Sequence, residues 1–378
     1  MADARETNER RLRRLQQMRR TGSVTNASEA LGGIWKAGKK PDSILLRTAF
    51  LRADGERSRL TKLVLPRGIA LRFYLLALFE AQCRLATGDP WQNVRPLKGA
   101  ESWSTLVAID GAYDTASGAY DAALKNMPPE LRGSARAEER WHTRKLEDLR
   151  LRQIKGALRT LEELGHEDAL VCMPRGARGQ RLYEDFSLME EGGRGDMPTP
   201  DFYTVPVRSW TAARTITLPK DFFLKGWIQA LNPSEVATWL ILRWMSQWAP
   251  RKHRVSGVFL TTRPRMQAFG LRDDAWEDGC QRLLDFGLIR HAEPPEGLKA
   301  ALNAIADPVI TALFSQPTRV RQPYQPHYWQ ITDDGLAKNA VQTLDRELTH
   351  RREALADAAM KRVQHDPERP TGHAPADE

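Results

Sequence analysis

Cysteine is scarce in this sequence, and its few occurrences are far apart. Cys83, Cys172 and Cys280 are the three cysteines among 378 residues, and none belongs to a CxxC pair. An odd number of widely spaced cysteines argues against a disulfide framework and against a structural zinc site. We therefore expect a reducing, cytoplasmic environment.

Long apolar runs and several catalytic signatures are also missing. No run approaches the roughly 18 residues that span a bilayer, and the N-terminus lacks the apolar centre of a secretory signal. The eight histidines show no HxH or HExxH spacing, and no GxxxxGK[ST] loop is present. These absences predict a protein without cofactor, metal site, membrane association or enzymatic activity.

Basic residues, in contrast, are in excess. Lys and Arg number 57 against 48 Asp and Glu, which gives a net charge of +9 and is typical of proteins with a polyanionic partner. Residues 1–20 alone contain seven arginines. Residues 1–40 are therefore predicted to form a basic N-terminal arm, with a solvated terminal helix that has no partner as the alternative. Residues 363–378 lack periodicity and are predicted to be a disordered tail.

The sequence contains a weak internal repeat. Each copy begins with a predicted strand that runs into proline and a basic residue, at 62–67 and at 215–220, and an apolar helix follows at about 70–85 and 233–248. A later amphipathic helix ends at a glycine in both copies. Its apolar positions share one offset: Ile154, Leu158, Leu161 and Leu164 before Gly165, and Trp276, Cys280, Leu283 and Phe286 before Gly287.

Each amphipathic helix is followed by a predicted hairpin. In the first copy, strands at 169–173 and 182–188 flank a basic, glycine-rich tip. In the second copy, strands at 288–291 and 328–332 are separated by about 30 residues that include a predicted helix at 297–314.

This order of elements resembles the winged-helix superfamily, and two copies in one chain look most like plasmid replication initiators. The resemblance implies a mainly α protein with small β-hairpins (α+β), built from two tandem winged-helix domains with helical insertions. The predicted domains are 58–190, with an insertion at 91–140, and 213–335, with an interrupted wing. A linker at 191–212 separates them, and a C-terminal helix at 336–362 follows.

A winged helix places its third helix in the major groove and directs its hairpin at phosphates or the minor groove. The first copy carries guanidinium, amide and ammonium groups on both elements, and these groups can pair with base edges and phosphates. The candidates are Arg150, Arg152, Gln153, Lys155 and Arg159 on the helix, and Arg175, Arg178 and Arg181 at the hairpin. The alternative is a solvent-exposed, arginine-rich helix and loop.

The second copy differs, because its corresponding helix begins with four carboxylates, Asp273, Asp274, Glu277 and Asp278. Repulsion from phosphates argues against deep insertion of this helix into a groove. Contacts with the DNA backbone are predicted instead for Arg251, Lys252, Arg254, Arg263 and Arg265.

The sequence thus favours a site-specific binder of double-stranded DNA that regulates transcription, in the cytoplasm and associated with the nucleoid. The second domain is expected to assist through backbone contacts, self-association or a protein partner. One alternative is the replication initiator of a plasmid or integrated element. Another is an adaptor whose winged helices bind other proteins.

Overall fold

The computed structural model describes residues 2–52, 57–64, 68–109, 130, 134–194, 201–206, 215–292 and 328–365. Most of these residues are helical, and their named strands form three two-stranded antiparallel sheets. The predicted α+β class, mainly helical with small β-hairpins, is confirmed.

The first half of the chain starts with two helices and ends in a hairpin. Its elements are α1 (Ala2–Thr21), α2 (Ser23–Ala37), β1 (Ser43–Arg47), α3 (Arg59–Lys62), α4 (Ile69–Arg84), α5 (Trp103–Leu106), α6 (Ala135–Glu162), β2 (Val171–Cys172) and β3 (Ser187–Leu188). Helix α4 is apolar around its circumference and is buried from Ala70 to Cys83, so it is the central helix of this half.

The second half has a similar order of elements. They are β4 (Thr215–Pro219), α7 (Asp221–Leu224), α8 (Trp227–Ala230), α9 (Pro233–Trp248), α10 (Pro250–Ser256), α11 (Thr262–Phe269), α12 (Asp273–Asp285), β5 (Ile289–His291), β6 (Trp329–Ile331) and α13 (Ala340–His365). Helix α9 begins with proline in its first turn, and the Glu235 carboxylate accepts a hydrogen bond from Asn232 N at 2.8 Å, so the sequence itself defines its start.

The two halves share a β-sheet. Strand β1 pairs antiparallel with β4, in a register that runs from Ser43 opposite Pro219 to Arg47 opposite Thr215. The prediction of a first-copy strand at 62–65 is wrong, because residues up to Lys62 belong to α3. Leu60 and Leu63 are both buried at helical spacing, and Ser58 caps the helix by accepting a hydrogen bond from Thr61 N. Residues 65–67 lie outside the described part of the chain.

The predicted basic arm is a correction, because the N-terminal helices belong to the folded body. Leu12, Leu15 and Met18 of α1 are buried in the same core as residues of both halves. Arg11 forms a buried ion pair with Glu235, and Asn8 Nδ2 donates to the Leu348 carbonyl of α13 at 3.1 Å. The apolar face of α1 is therefore covered by the second half and by the C-terminal helix.

The predicted linker at 191–212 is also corrected, where the structure describes it. Glu191 is fully buried and accepts a hydrogen bond from Arg47 N at 3.2 Å. Tyr203 is fully buried as well, and its hydroxyl accepts from Gln82 Nε2 at 3.0 Å. These residues pack against β1 and α4 and do not form a free spacer.

The two amphipathic helices agree with the sequence pattern. Ile154, Leu158 and Leu161 of α6 are buried, as are the four apolar residues from Trp276 to Phe286 at the end of α12. Gly287 has φ 71°, the left-handed conformation expected after a helix end.

Other calls are met only in part. The hairpin strands β5 and β6 lie where they were predicted, whereas residues 183–185 of the first hairpin form a 3-10 turn. Residues 91–109 of the predicted insertion pack into the core through Trp91 and Trp103. The C-terminal helix continues to His365, beyond its predicted end. The rest of the insertion up to 133 except residue 130, the helix at 297–314 and the tail from 366 lie outside the described residues.

Candidate nucleic-acid interface

Helix α6 presents a polar face to solvent, opposite its buried apolar stripe. Arg152 and Arg159 are exposed and Gln153 is half-buried, whereas Ile154 and Leu158 face the core. The spacing of seven residues places the two arginines on one side of the helix, two turns apart. Three of the predicted reading residues therefore lie together on an accessible surface.

A groove runs beside these side chains. A cavity of about 460 Å³ lies between the first turn of α4, at Ile69 and Ala70, and the α6 residues Arg152, Gln153 and Arg159. Gly156 also lines it, and a Cβ added at Gly156 would meet nothing within 4 Å. The absence of a side chain at this position leaves room for another surface to approach the α6 backbone.

The other two predicted residues of α6 contact the protein itself. Arg150 donates from Nε to the Ile109 carbonyl at 3.1 Å. The Lys155 ammonium lies 5.1 Å from the centre of the Tyr183 ring, a cation–π contact with the first hairpin. Both side chains are only half exposed. Their contacts position α6 and its hairpin.

The first hairpin is tied to the end of α6 by ion pairs that the sequence reading missed. Arg181 donates to Glu162 and to Glu163, each at 2.6 Å, and Arg175 donates to Glu162 at 3.2 Å. The hydrogen bond to Glu162 raises the pKa of Arg181. The positive charges of Arg175 and Arg181 are thus largely compensated, whereas Arg178 at the tip is exposed. The signal for this pairing was the adjacent carboxylates at the end of a helix that precedes a basic hairpin.

The basic residues of the second half divide into exposed and buried positions. Arg251, Arg254 and Arg263 are exposed, and Lys252 lies 4.7 Å from the centre of the Phe259 ring while remaining exposed. Arg265 is the exception, because its side chain is 2% exposed. It is paired with Asp273, and its Nε donates to the Leu271 carbonyl at 3.1 Å. The predicted backbone contact by Arg265 is therefore wrong, since burial removes its guanidinium from any external ligand.

Helix α12 carries an acidic outer surface. Asp274, Glu277 and Asp278 are exposed, and Asp273 is consumed in part by Arg265 and by a hydrogen bond from Thr262 at 3.1 Å. The outer faces of α6 and α12, which have equivalent places in the two halves, thus carry opposite charge.

Ionisable groups that could support catalysis or metal binding were compared across the described residues. That part of the chain contains no cluster of three or more His, Cys, Asp or Glu side chains arranged to hold a metal. Burial raises the pKa of Cys83 to about 12, and burial also raises the pKa of Cys280, so both thiols stay protonated at neutral pH. None of the helices in the described ranges has the length and apolar character that a membrane crossing requires.

Comparisons with family models, with curated proteins and with solved structures find no match for this chain.

Proposed function

We propose that this chain is a site-specific binder of double-stranded DNA that regulates transcription, built from two winged-helix units of which the first reads the major groove through α6. The observation that carries the proposal is the group of Arg152, Gln153 and Arg159 on the accessible face of α6. Arginine pairs bidentately with guanine and glutamine with adenine, so this face offers the donors and acceptors that distinguish base pairs. Association with the nucleoid follows from the same activity.

The arrangement of the first half supports a winged-helix unit. A buried helix, α4, packs against an amphipathic helix, α6, and a hairpin follows directly and is fastened to the end of α6. A major groove about 12 Å wide accepts one α-helix, and a hairpin fixed beside that helix lies next to the phosphate backbone. Arg178 then contacts a phosphate or the minor groove, while Arg175 and Arg181 hold the hairpin in place.

The second half assists through the DNA backbone. Arg251, Lys252, Arg254 and Arg263 are exposed and can neutralise phosphates. The acidic face of α12 would repel the backbone, so this helix stays outside the groove and is available to a protein partner.

A replication initiator is a second candidate, and the β1–β4 pairing favours it. This pairing connects both halves within one chain, so a single molecule could bind a directional site without a symmetric second copy. Directly repeated sites would favour the initiator, and one palindromic operator would favour the transcription regulator.

The test is selection of bound sequences from a random duplex pool by the purified chain. It is repeated with a variant that carries Arg152→Ala, Gln153→Ala and Arg159→Ala. We expect an enriched motif that the variant loses, at about 1–3 kcal/mol for each base contact removed. A matched control, Arg136→Ala with Arg140→Ala, removes two exposed arginines from the N-terminal part of α6 and should keep the motif.

Binding that is absent, or that does not weaken between 50 and 200 mM salt, would contradict the proposal, because phosphate contacts release counterions. That result would favour the protein adaptor.

A further inference from the structure

A second cavity lies away from the α6 face, where the N-terminal helix meets the second half. It has a volume of about 320 Å³, within the lower range of sites that hold small molecules. Its walls come from α1, from the first turn of α9 and from α12.

The lining of this cavity is rich in positive charge. Four guanidinium groups face two carboxylates, which leaves an excess of two positive charges. The arginines are Arg10, Arg11, Arg14 and Arg282, and the carboxylates belong to Glu235 and Asp278. An excess of like charge in a partly buried space is costly unless an anion enters it.

One of the two carboxylates is already engaged. Glu235 accepts from both terminal nitrogens of Arg11 and from Asn232 N, so its charge is compensated by Arg11. Asp278, which is exposed, is the remaining carboxylate of the lining.

Buried donors in the cavity wall lack acceptors. The Arg11 side chain is 7% exposed, and its Nε–H has no hydrogen-bond partner among the described residues. The same holds for one terminal nitrogen of Arg282, Nη1. Buried N–H groups without partners are rare in folded proteins and often mark the position of a missing ligand or water.

Neighbouring groups increase the positive potential. Burial, followed by the nearby charges of Arg351 and Arg11, lowers the pKa of Arg282. The N-terminus of α9, a helix of 16 residues, contributes its own partial positive charge through the turn that contains Ser234.

We propose that this cavity is a binding site for a small phosphate-bearing anion, held by the arginines of α1 and α12 at the N-terminus of α9. The ligand would connect α1 to the second half of the chain and so stabilise the folded protein. The inference is independent of DNA reading by α6, because it uses different residues on different elements.

Pyrophosphate is the probe, added to the full-length chain. Isothermal titration calorimetry and thermal unfolding are recorded for the unmodified protein and for two pairs of variants. In the first pair, Arg10→Gln removes a charge from the cavity, and Arg20→Gln removes an exposed arginine of α1 outside it. In the second pair, Asp278→Asn removes the remaining carboxylate, and Asp274→Asn removes an exposed carboxylate of α12 outside the cavity.

We expect saturable binding of one pyrophosphate that raises the melting temperature. Arg10→Gln should weaken binding and Asp278→Asn should strengthen it, each by about five-fold, because both change the charge of the site by one unit. Arg20→Gln and Asp274→Asn should leave it unchanged. Variants that shift affinity in opposite directions cannot both be explained by unfolding.

Two results would overturn the site. One is the absence of saturable binding up to millimolar pyrophosphate, and the other is binding that all four variants change equally, as a general salt effect would. Where binding is saturable, competition identifies the source of the phosphate: displacement by duplex DNA assigns the site to a backbone phosphate, and simultaneous binding of duplex and pyrophosphate assigns it to a free phosphorylated molecule.

Discussion

At the scale of single residues, burial separates arginines that support the fold from arginines that can reach DNA. Arg265 and Arg263 lie two positions apart on α11, yet the first has a side chain that is 2% exposed and the second is exposed. Arg265 also lies 5.5 Å from the centre of the Trp276 ring, so it joins α11 to α12. Sequence alone treats the two residues alike.

Arg265→Ala should therefore destabilise the protein without weakening DNA binding by the folded fraction. We expect a loss of about 3 kcal/mol in the free energy of unfolding, because the change removes buried contacts and leaves the Leu271 carbonyl without its donor. Chemical denaturation measures this loss. Arg263→Ala should change stability by less than about 0.5 kcal/mol and should weaken DNA binding. The reverse pattern would show that Arg265 is a DNA contact.

His253 makes the stability of the second half depend on pH. Its Nε2 accepts a hydrogen bond from Ile331 N at 2.8 Å, which requires an unprotonated nitrogen. Burial, reinforced by Arg243 and Arg290 and opposed by Asp333, lowers the pKa of His253 from 6.5. The neutral imidazole is thus favoured in the fold, and its stabilising contribution is present above pH 6.5 and is lost as the pH falls below it.

Unfolding free energies at pH 8 and pH 5.5 test this link. The unmodified chain should lose more stability over this interval than His253→Gln, whose side chain does not titrate. His166→Gln replaces an exposed histidine and should keep the pH dependence of the unmodified chain. Equal pH dependence in all three proteins would contradict the role of His253.

At the scale of elements, glycines in α6 and α12 serve different purposes. A Cβ at Gly156 would meet nothing within 4 Å, whereas a Cβ at Gly279 would lie 2.4 Å from Thr238 Oγ1 and 2.9 Å from Thr238 Cβ. Gly279 therefore allows α12 to pack closely on α9, and Gly156 keeps the exposed face of α6 open.

Alanine at the two positions should have effects of opposite sign. Gly156→Ala should stabilise the protein by about 0.5–1 kcal/mol, the difference in helix propensity. Gly279→Ala should destabilise it by about 1–3 kcal/mol, because Thr238 must move or α12 must separate from α9. Denaturant unfolding of both variants measures the difference. Stabilisation by Gly279→Ala would disprove the close approach.

Sequence periodicity predicted the elements whose signal is local. The stripe from Ile154 to Leu164 follows helical spacing, as does the stripe from Trp276 to Phe286, and both helices were located correctly. Strand β1 was missed because its partner β4 lies more than 160 residues away, and no local pattern identifies that pairing. The apolar residues around Leu63 were assigned to a strand instead, although Leu60 and Leu63 fit a short capped helix equally well.

For the candidate site, residue type was predictable and accessibility was not. The exposed positions of Arg152 and Arg159 follow from their place opposite the apolar stripe. The pairing of Arg181 with Glu162, and the burial of Arg265, depend on how two elements pack, which a single sequence does not contain.

At the scale of the whole molecule, α1 closes the structure by joining the N-terminus to the C-terminal helix. Leu15 is 1% exposed on α1, and on the opposite face Arg13 is exposed. Arg19 pairs with Asp345 of α13, and Arg11 pairs with Glu235 of α9. The seven arginines that made residues 1–20 look like a DNA-binding arm thus include residues with partners inside the protein.

The two views of α1 predict different results for Leu15→Ala and Arg13→Ala. If α1 belongs to the core, Leu15→Ala should lower the free energy of unfolding of the whole chain by about 2–4 kcal/mol, through lost apolar contacts and the cavity left behind. Because one core connects both halves, tryptophan fluorescence and far-ultraviolet circular dichroism should report the same single transition at lower denaturant. Arg13→Ala should leave stability within about 0.5 kcal/mol of the unmodified chain. A basic arm would give the opposite result, with full stability in Leu15→Ala and a smaller salt dependence of DNA binding in Arg13→Ala.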